Sequence, residues 1–504
     1  MNILIINGHP RKKSFSEAIM AAYLSGLSKN INTETLIIAD LIFNPNVIQH
    51  SPKEQFHEQD IKHAKALITW ADHIVFIYPT WWGTMPALLK AFFDRVFTEG
   101  FAFNEIEGGT GYQPLLKGKT AEAITTMDTP KWVYTIIYRA PGHNCLRRAI
   151  LEFCGFHVTR IITLAPVKTS TLNQRDKWLN KIKTHASKLK DTALSKPQRL
   201  SIKMFLWIKA IRLQFYPMAI VAYCLGTQAA NEAGYDFKRD LFWSGLGWIF
   251  FLEVATVLIN EKADYLTDKQ NRYFSPFTGG SRVIVDDLLS FSEIKKGIGI
   301  ALFLSFMFLT ILLIKISGNH LEILIACSSL IILALGYTAF PLKFSYRTLG
   351  ELVVGITHSF SLVLSGYLFM GGPISDAFPW MISIPLFLSI LPSIILAGIP
   401  DKDADQLAQK KTLTVRFGAN TALSLAILFT WLAPLAIALF TILEIYHPIF
   451  NSILYFVIPH AILLTVMLLR YRRNKDSKRI DSLLIAALTY LMWFGIMPLI
   501  NLIK

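Results

Sequence analysis

Thiols and acids are the scarce groups in this chain. Only four cysteines, Cys145, Cys154, Cys224 and Cys327, occur in 504 residues. They show no metal-ligand spacing and two of them lie inside apolar runs. That argues against a disulfide framework and predicts reduced thiols. Charged residues make up 17%, and 35 acids stand against 50 bases, a formal net charge of +15. Such an excess admits nucleic acid as a partner, but basic loops between membrane spans account for it better, and no nucleic acid is expected. A GxGxxG dinucleotide loop and a Walker loop are both missing. The apolar start MNILIING is too short for a signal segment and has no basic flank; it reads as a strand.

What the chain has in abundance is apolar sequence, 53% of residues, with a mean hydropathy of +0.41. The length calls for two or more units, and the apolar residues are not shared evenly. Residues 1–192 read as a soluble domain, 193–204 as a polar linker, and 205–504 as a series of stretches long enough to cross a bilayer.

In the front part, short apolar runs alternate with amphipathic ones. Strands are predicted at 2–8, 33–39, 73–79, 121–127 and 159–165, with helices between them, including 87–97. That alternation predicts an α/β domain with a five-stranded parallel sheet covered on both faces, and ligands bind beyond the C-terminal strand ends of such sheets. Three loops leave those ends. GHPRKKSFS (8–16) brings Ser14, Phe15 and Ser16 to a helix start, where amides and hydroxyls suit a phosphate. YPTWWGTMP (78–86) sets Trp81, Trp82 and Gly83 at a turn, suited to a flat ring, although a lone tryptophan is more often core. TTMDTPKW (125–132) is the third.

The motifs His9–Phe15, Pro79–Phe97 and Phe153–Phe156 resemble the flavodoxin-like NAD(P)H:quinone oxidoreductase family over about residues 1–190. The resemblance implies that His9, Ser14, Phe15 and Ser16 bind the flavin phosphate side. It implies too that Pro79, Thr80, Trp81, Trp82 and Gly83 border the isoalloxazine. FAD-binding members often carry Gly-Gly where this chain has Met127 and Asp128, which favours FMN, with NAD(P)H as reductant and a homodimer through this domain left open. His143 is a candidate for hydride relay, with an ordinary surface histidine as the competing reading.

Behind the linker, apolar segments near 206–228, 241–259, 297–315, 321–340, 350–370, 377–399, 421–441, 449–469 and 482–503 predict an all-α domain of nine spans. Basic residues gather in alternate loops: Lys343 and Arg347, then Lys410, Lys411 and Arg416, then the cluster 470–479. The positive-inside rule places the front domain in the cytoplasm and the C-terminus outside an inner, cytoplasmic membrane.

Two acidic patches follow the second and sixth spans, four crossings apart and therefore on one side. In the first, Asn260, Asp264 and Asp268 recur every fourth residue; in the second, Asp401 and Asp405 do the same. Spacing of i, i+4 puts each set on one helical face. A solvated acidic loop explains one patch well, but two on the same side imply a shared cavity. Facing carboxylates repel unless a cation intervenes, and oxygen ligands of this kind suit Mg²⁺ bridging to a phosphate substrate. Lys343, Arg347, Lys411 and Arg416 are the candidate diphosphate grips.

These motifs, NDxxDxxxD (with Glu261 for the usual second Asp), DxxxD, KKTLTVRFG and GYTAFPLKFSYRTLGEL, resemble the UbiA family of membrane prenyltransferases over about residues 205–504. The resemblance implies that Mg²⁺ on Asp264, Asp268, Asp401 and Asp405 binds an isoprenyl diphosphate, whose ionisation yields an allylic cation attacked by an electron-rich ring. Glu253, two turns deeper than Asn260 on the same face, is expected to line the acceptor pocket and to take a ring hydroxyl proton, a structural hydrogen bond being the alternative. Since a hydroquinone is electron-rich and its quinone is not, the front domain is expected to keep the acceptor reduced, with the 1,4-dihydroxy-2-naphthoate branch favoured. The alternatives are a 4-hydroxybenzoate-type or other aromatic prenyltransferase with an independent reductase, and a flavin-regulated membrane transporter.

Overall fold

A computed structural model describes the chain except residues 106–111, 190–195, 272–273, 276, 319, 445–446, 451, 474–479 and 504. The chain divides into Met1–Ile202 and Lys203–Lys504. Most of the basic cluster 470–479 thus lies outside the described residues.

The first unit carries all five expected strands in one parallel sheet. Its order is Asn32–Ile37, Asn2–Asn7, His73–Pro79, Thr120–Thr126 and His157–Leu164. Every residue of His73–Pro79 and Thr120–Thr126 is buried, as a strand sandwiched between helix layers must be. The order reverses direction between Asn2–Asn7 and His73–Pro79, so the loops after these two strands diverge and leave a crevice between them. The buried carboxylate Glu122 is the one acidic or basic side chain on Thr120–Thr126, the strand next to the central one. It accepts from Tyr23 Oη at 2.6 Å and pairs with His185 Nε2 at 2.8 Å, with His73 Nε2 at 3.9 Å. Burial pushes this carboxyl up, but the His185 contact and the two imidazoles outweigh burial and hold it far below the usual carboxylate range.

The second unit is helical. Among the described residues, seven helices are long and apolar enough to cross a membrane, or eight if a bent pair counts as one. The difference from nine has two local causes. The first apolar stretch is broken at Arg212, whose φ of 54° takes the chain out of the right-handed helix, giving a 41° bend. The stretch at 321–340 forms a helix of 17 residues only, His320–Gly336, because the chain turns at Tyr337 into the loop that carries Lys343 and Arg347. Elsewhere backbones pack directly: a Cβ at Gly226 would lie 1.9 Å from Val363 O, and one at Gly366 would lie 2.4 Å from Tyr223 O. Small residues permit such crossings in an apolar medium. The span Gly350–Met370 contains a π-helical turn at Thr357–Ser361, a feature that recurs at functional positions.

Candidate active sites

In the first unit, the crevice at the reversal of strand order is a cavity of about 380 Å³ lined by His9, Phe15, Ser16, Pro79, Thr80, Trp81, Met127 and Asp128, among others. Ser14 is the N-cap of Phe15–Gly26, yet its side chain makes no capping bond. The hydroxyls of Ser14, Ser16 and Thr80 are buried without a hydrogen-bond partner. Three orphaned hydroxyls beside a helix N-terminus leave a strong demand for an anionic acceptor, and the donor set fits a flavin phosphate. Trp81 and Thr84 exchange two backbone bonds of 2.8 and 3.0 Å. Between them Trp82 and Gly83 both have positive φ, 50° and 77°. This is a tight hairpin turn of the kind that needs left-handed residues. It holds the Trp81 ring at the cavity and leaves Trp82 fully exposed, at 103%. Gly83 O accepts from Tyr134 Oη at 3.0 Å and from Gly142 N at 2.9 Å. His143 is half-buried rather than on the surface. Its Nε2 meets Thr125 Oγ1 at 3.1 Å, and burial, with the Lys131 charge, lowers its pKa to about 4.

In the second unit, the two acidic motifs line one cavity, which takes in Asn260, Asp264, Asp268, Asp401, Asp405, Lys410 and Arg212. The helical turn continues through the first motif, with Asp264 N bonded to Asn260 O and Asp268 N to Asp264 O at 2.8 Å. The second motif repeats this from Asp405 N to Asp401 O, also at 2.8 Å. Asn271 Nδ2 donates to Asp401 Oδ1 at 2.6 Å, tying one motif's helix to the other. Glu261, standing where Asp is usual, turns away and accepts from Ser281 N at 2.8 Å, while Arg282 Nη1 donates to Asp268 O at 2.8 Å. Together they draw the 277–283 loop over the acids. That loop comes so close that a Cβ at Gly280, where φ is 69°, would lie 2.1 Å from Asp268 Oδ2. Only glycine fits there.

Burial pushes the Asp268 carboxyl up to about 8, with the charges of Asp264, Glu261 and Asp401 adding to it. Asp401 rises to about 7 through burial and then the charge of Asp405. Asp405 rises to about 6, mainly through burial. Acids crowded out of water in this way call for a cation. Among the described residues no three His, Cys, Asp or Glu side chains converge on one metal position. Instead Lys410 Nζ stands between the motifs, 2.7 Å from Asp264 Oδ1 and 3.5 Å from Asp405 Oδ1. Its ammonium is the cation the carboxylates demand. The oxygen-only donor set, with Asn260 Oδ1 buried and unpartnered, fits Mg²⁺ once Lys410 yields.

Arg212, Asn260, Tyr337, Val354 and Ile394 also line a second, mostly apolar cavity of about 260 Å³. The two spaces therefore adjoin along one wall, a polar end and an apolar end. Glu253 lines the apolar end, as its place two turns before Asn260 predicts, and faces His358.

Of the four expected diphosphate grips, Lys343, Arg347, Lys411 and Arg416 are all exposed and none lines the acid cavity. Arg347 is occupied with Pro341 O at 2.9 Å. The basic groups the cavity does contain, Lys410 and Arg212, are not among those four. Lys410 adjoins Lys411 in the chain, and only the register of the turn tells them apart. Arg212 sits in an apolar segment, where a lone arginine is itself the signal.

A parallel-sheet domain with a phosphate-ready crevice, joined to a multi-pass helical unit whose carboxylates rim an apolar cavity, defines a membrane-bound fusion of two enzyme types. Residues 216–494 match the UbiA prenyltransferase family and residues 1–186 the flavodoxin-like fold. The chain belongs to the UbiA prenyltransferase family and carries at its front a domain of the flavodoxin-like NAD(P)H oxidoreductase family. An uncharacterized NAD(P)H oxidoreductase of Haemophilus influenzae is 30% identical over 164 residues, 31% of this chain and 79% of that protein. The ribosyldihydronicotinamide dehydrogenase [quinone] of Homo sapiens is 29% identical over 188 residues, 31% of this chain and 78% of its own. A solved digeranylgeranylglyceryl phosphate synthase overlaps 59% of this chain and 99% of its own at 18% identity, with a TM-score of 0.41.

Proposed function

We propose that the membrane unit transfers an isoprenyl group from a prenyl diphosphate to an aromatic quinol, and that the front domain reduces the quinone form of that acceptor with NAD(P)H. The observation that carries this reading is that both acidic motifs open into one cavity whose wall continues into an apolar one. A prenyl diphosphate has a matching division, with a polyanionic head and a greasy tail.

In this reading Asn260, Asp264, Asp268, Asp401 and Asp405 hold Mg²⁺, which neutralises the diphosphate and makes it a better leaving group. Lys410 and Arg212 bear on the departing oxygens. Burial of the carboxylates keeps competing water out. Lys343, Arg347, Lys411 and Arg416, exposed on the adjoining loops, extend the positive field that meets the incoming diphosphate.

The front crevice would hold a flavin, FMN in preference to FAD, and that group when bound would supply hydride transfer between NAD(P)H and a quinone. Ser14, Ser16 and Thr80 hold its phosphate, while Trp81 and Pro79 flank its ring. The named relatives, NAD(P)H and quinone enzymes, support the assignment. A hydroquinone attacks a carbocation readily and a quinone does not, so reduction at the front serves prenylation behind. The naphthoquinol branch fits this division of labour best. With the bent pair and the 17-residue helix both counted as crossings, nine spans set the two ends of the membrane unit on opposite sides, and the basic loops favour the cytoplasm for the front domain and the outside of the inner membrane for the C-terminus.

The test is product analysis by mass spectrometry on the full chain, given Mg²⁺, prenyl diphosphates of several lengths and oxidised quinones. Prenylated quinol that forms with NADPH and not without it is the expected result. No prenylated product under any combination refutes the transferase reading. Product that is indifferent to NADPH refutes only the coupling.

A further inference from the structure

We propose that Glu253 and His358 form a proton-holding pair that binds a phenolic hydroxyl of the acceptor and takes its proton as the new carbon–carbon bond forms. The inference rests on the prenyltransferase reading and assigns to it the acceptor end of the cavity.

Glu253 Oε1 and His358 Nε2 are 3.6 Å apart, too long for a hydrogen bond, and their side chains keep 15% and 28% of their exposure. Both line the apolar cavity, with Thr357 beside them. Two ionisable groups in an apolar space within a membrane span are costly to keep unless they act on something. The Thr357–Ser361 π-turn is what brings His358 there. A π-turn shifts the side-chain register of a span, and such turns persist mostly where a function needs the shift.

The hydrogen bonds fix the proton inventory. Thr357 Oγ1 donates to Val353 O at 2.9 Å, so its lone pairs face His358 Nδ1 at 3.1 Å. Val354 O, which can only accept, stands 3.2 Å from the same nitrogen. Nδ1 meets two acceptors and carries a proton. Nε2 is left facing the Glu253 oxygens across 3.6 Å, with no direct bond between them. The Glu253 oxygens are thereby positioned to accept from a third group. The gap too wide for a direct bond is where a hydroxyl enters.

Glu253 is seven residues before Asn260, roughly 10 Å along the helix, which leaves room for a ring between the pair and the diphosphate end. When the C1–oxygen bond breaks, its electron pair leaves on the diphosphate. A ring π pair bonds C1, the hydroxyl's O–H pair collapses to a carbonyl, and the proton passes to Glu253. The positive charge brought by the prenyl group thus ends as that proton. The ring carbon then sheds its own hydrogen to the diphosphate, and the oxygen regains a proton from Glu253. An acceptor with a carboxylate at this end would meet like charge in an apolar space, so the class is a hydroxyarene whose hydroxyl points away from the acids.

The experiment compares the full chain with E253Q and H358Q, using Mg²⁺, geranylgeranyl diphosphate and a panel of benzo- and naphthohydroquinones alongside their monomethyl and dimethyl ethers. In the unaltered protein, kcat/KM is expected to fall about 100-fold from hydroquinone to dimethyl ether. Each variant is expected to lose about 100-fold in kcat on the hydroquinone, with geranylgeranyl diphosphate affinity unchanged and most of the hydroxyl-over-ether preference gone. Variants that keep the hydroquinone kcat or that preference overturn the inference while the transferase reading stands. A loss of diphosphate affinity as large as the loss of kcat makes the pair structural and overturns it too. If the unaltered protein prenylates no hydroquinone, the transferase reading itself falls, and the pair's role with it.

Discussion

Lys410 Nζ stands 2.7 Å from Asp264 Oδ1, although the two residues belong to acidic loops that follow different spans. Burial alone would drag this ammonium down; the charges of Asp264 and Asp405 carry it above its ordinary value instead. Replacing it with Met leaves buried carboxylates facing one another, at a cost of about 3–5 kcal/mol. The metal-free K410M protein is expected to melt earlier than the parent and to regain most of the difference in millimolar Mg²⁺. Calorimetry with and without Mg²⁺ checks this. A K410M deficit that Mg²⁺ leaves untouched means that metal and lysine do not share the position.

Gly280 makes a sharper test of the acid cavity than the acids themselves. A methyl group there meets Asp268 Oδ2 at 2.1 Å on a backbone that strains any other residue. Gly280→Ala is expected to abolish prenyl transfer, by about 100-fold or more, while circular dichroism and flavin content stay as in the parent. Normal turnover by G280A means that the loop does not close over the acids in the working enzyme.

Arg212 breaks the first apolar helix and lines both cavities. Its guanidinium is planar and forked, which suits two diphosphate oxygens at once, whereas a lysine offers a point charge. Arg212→Lys is expected to raise KM for the prenyl diphosphate about 10-fold, and Arg212→Gln about 100-fold, following the loss of charge-assisted bonds. Steady-state kinetics with the diphosphate varied decides it; an effect confined to the acceptor's KM places Arg212 on the other substrate.

In the front domain, Ser16→Asp sets a negative charge among the orphaned hydroxyls. Flavin affinity is expected to drop about 100-fold, in line with the loss of charged hydrogen bonds. The protein should purify colourless and still fold, as read by absorbance near 450 nm, roughly the flavin band, and by circular dichroism. Undiminished flavin in S16D puts the phosphate elsewhere.

Glu122 predicts how the front domain responds to acid. Its folded pKa lies far below the roughly 4.3 of an unfolded glutamate, so the unfolded chain binds more protons on the acid side. The stabilisation is fully present above about 4.3 and fades as pH falls toward the folded value. Glu122→Gln is expected to lower stability at pH 7 by about 1.5–3 kcal/mol and to flatten the loss between roughly pH 5 and 3. Urea melts of the full chain at several pH values, followed by near-ultraviolet signals of the front domain, show whether the two proteins converge in acid. Parallel curves exclude Glu122 as the source.

The particulars show what a sequence displays and what it hides. All five strands were legible because buried parallel strands are short unbroken apolar runs, and the acidic motifs because their period of four is a helical one. The bend at Arg212 was not, since a single left-handed residue leaves no trace in hydropathy. Trp81 and Trp82 look alike in the chain, yet a left-handed turn sends one to the crevice and the other into solvent. Lys410 and Lys411 are neighbours of the same type, and only backbone rotation decides which reaches Asp264. His358 had no periodicity to betray it, because the π-turn that presents it to Glu253 changes the period.

A tethered ammonium at the junction of the acidic loops also bears on how this protein is made. Most ion sites built from bare carboxylates must wait for their ion before the surrounding loops can settle. Here the chain supplies its own plug, so the helices can insert and the loops close on the ribosome's schedule rather than the cell's magnesium supply. Under the proposed reading, a divalent ion would arrive with the diphosphate and depart with it after each cycle.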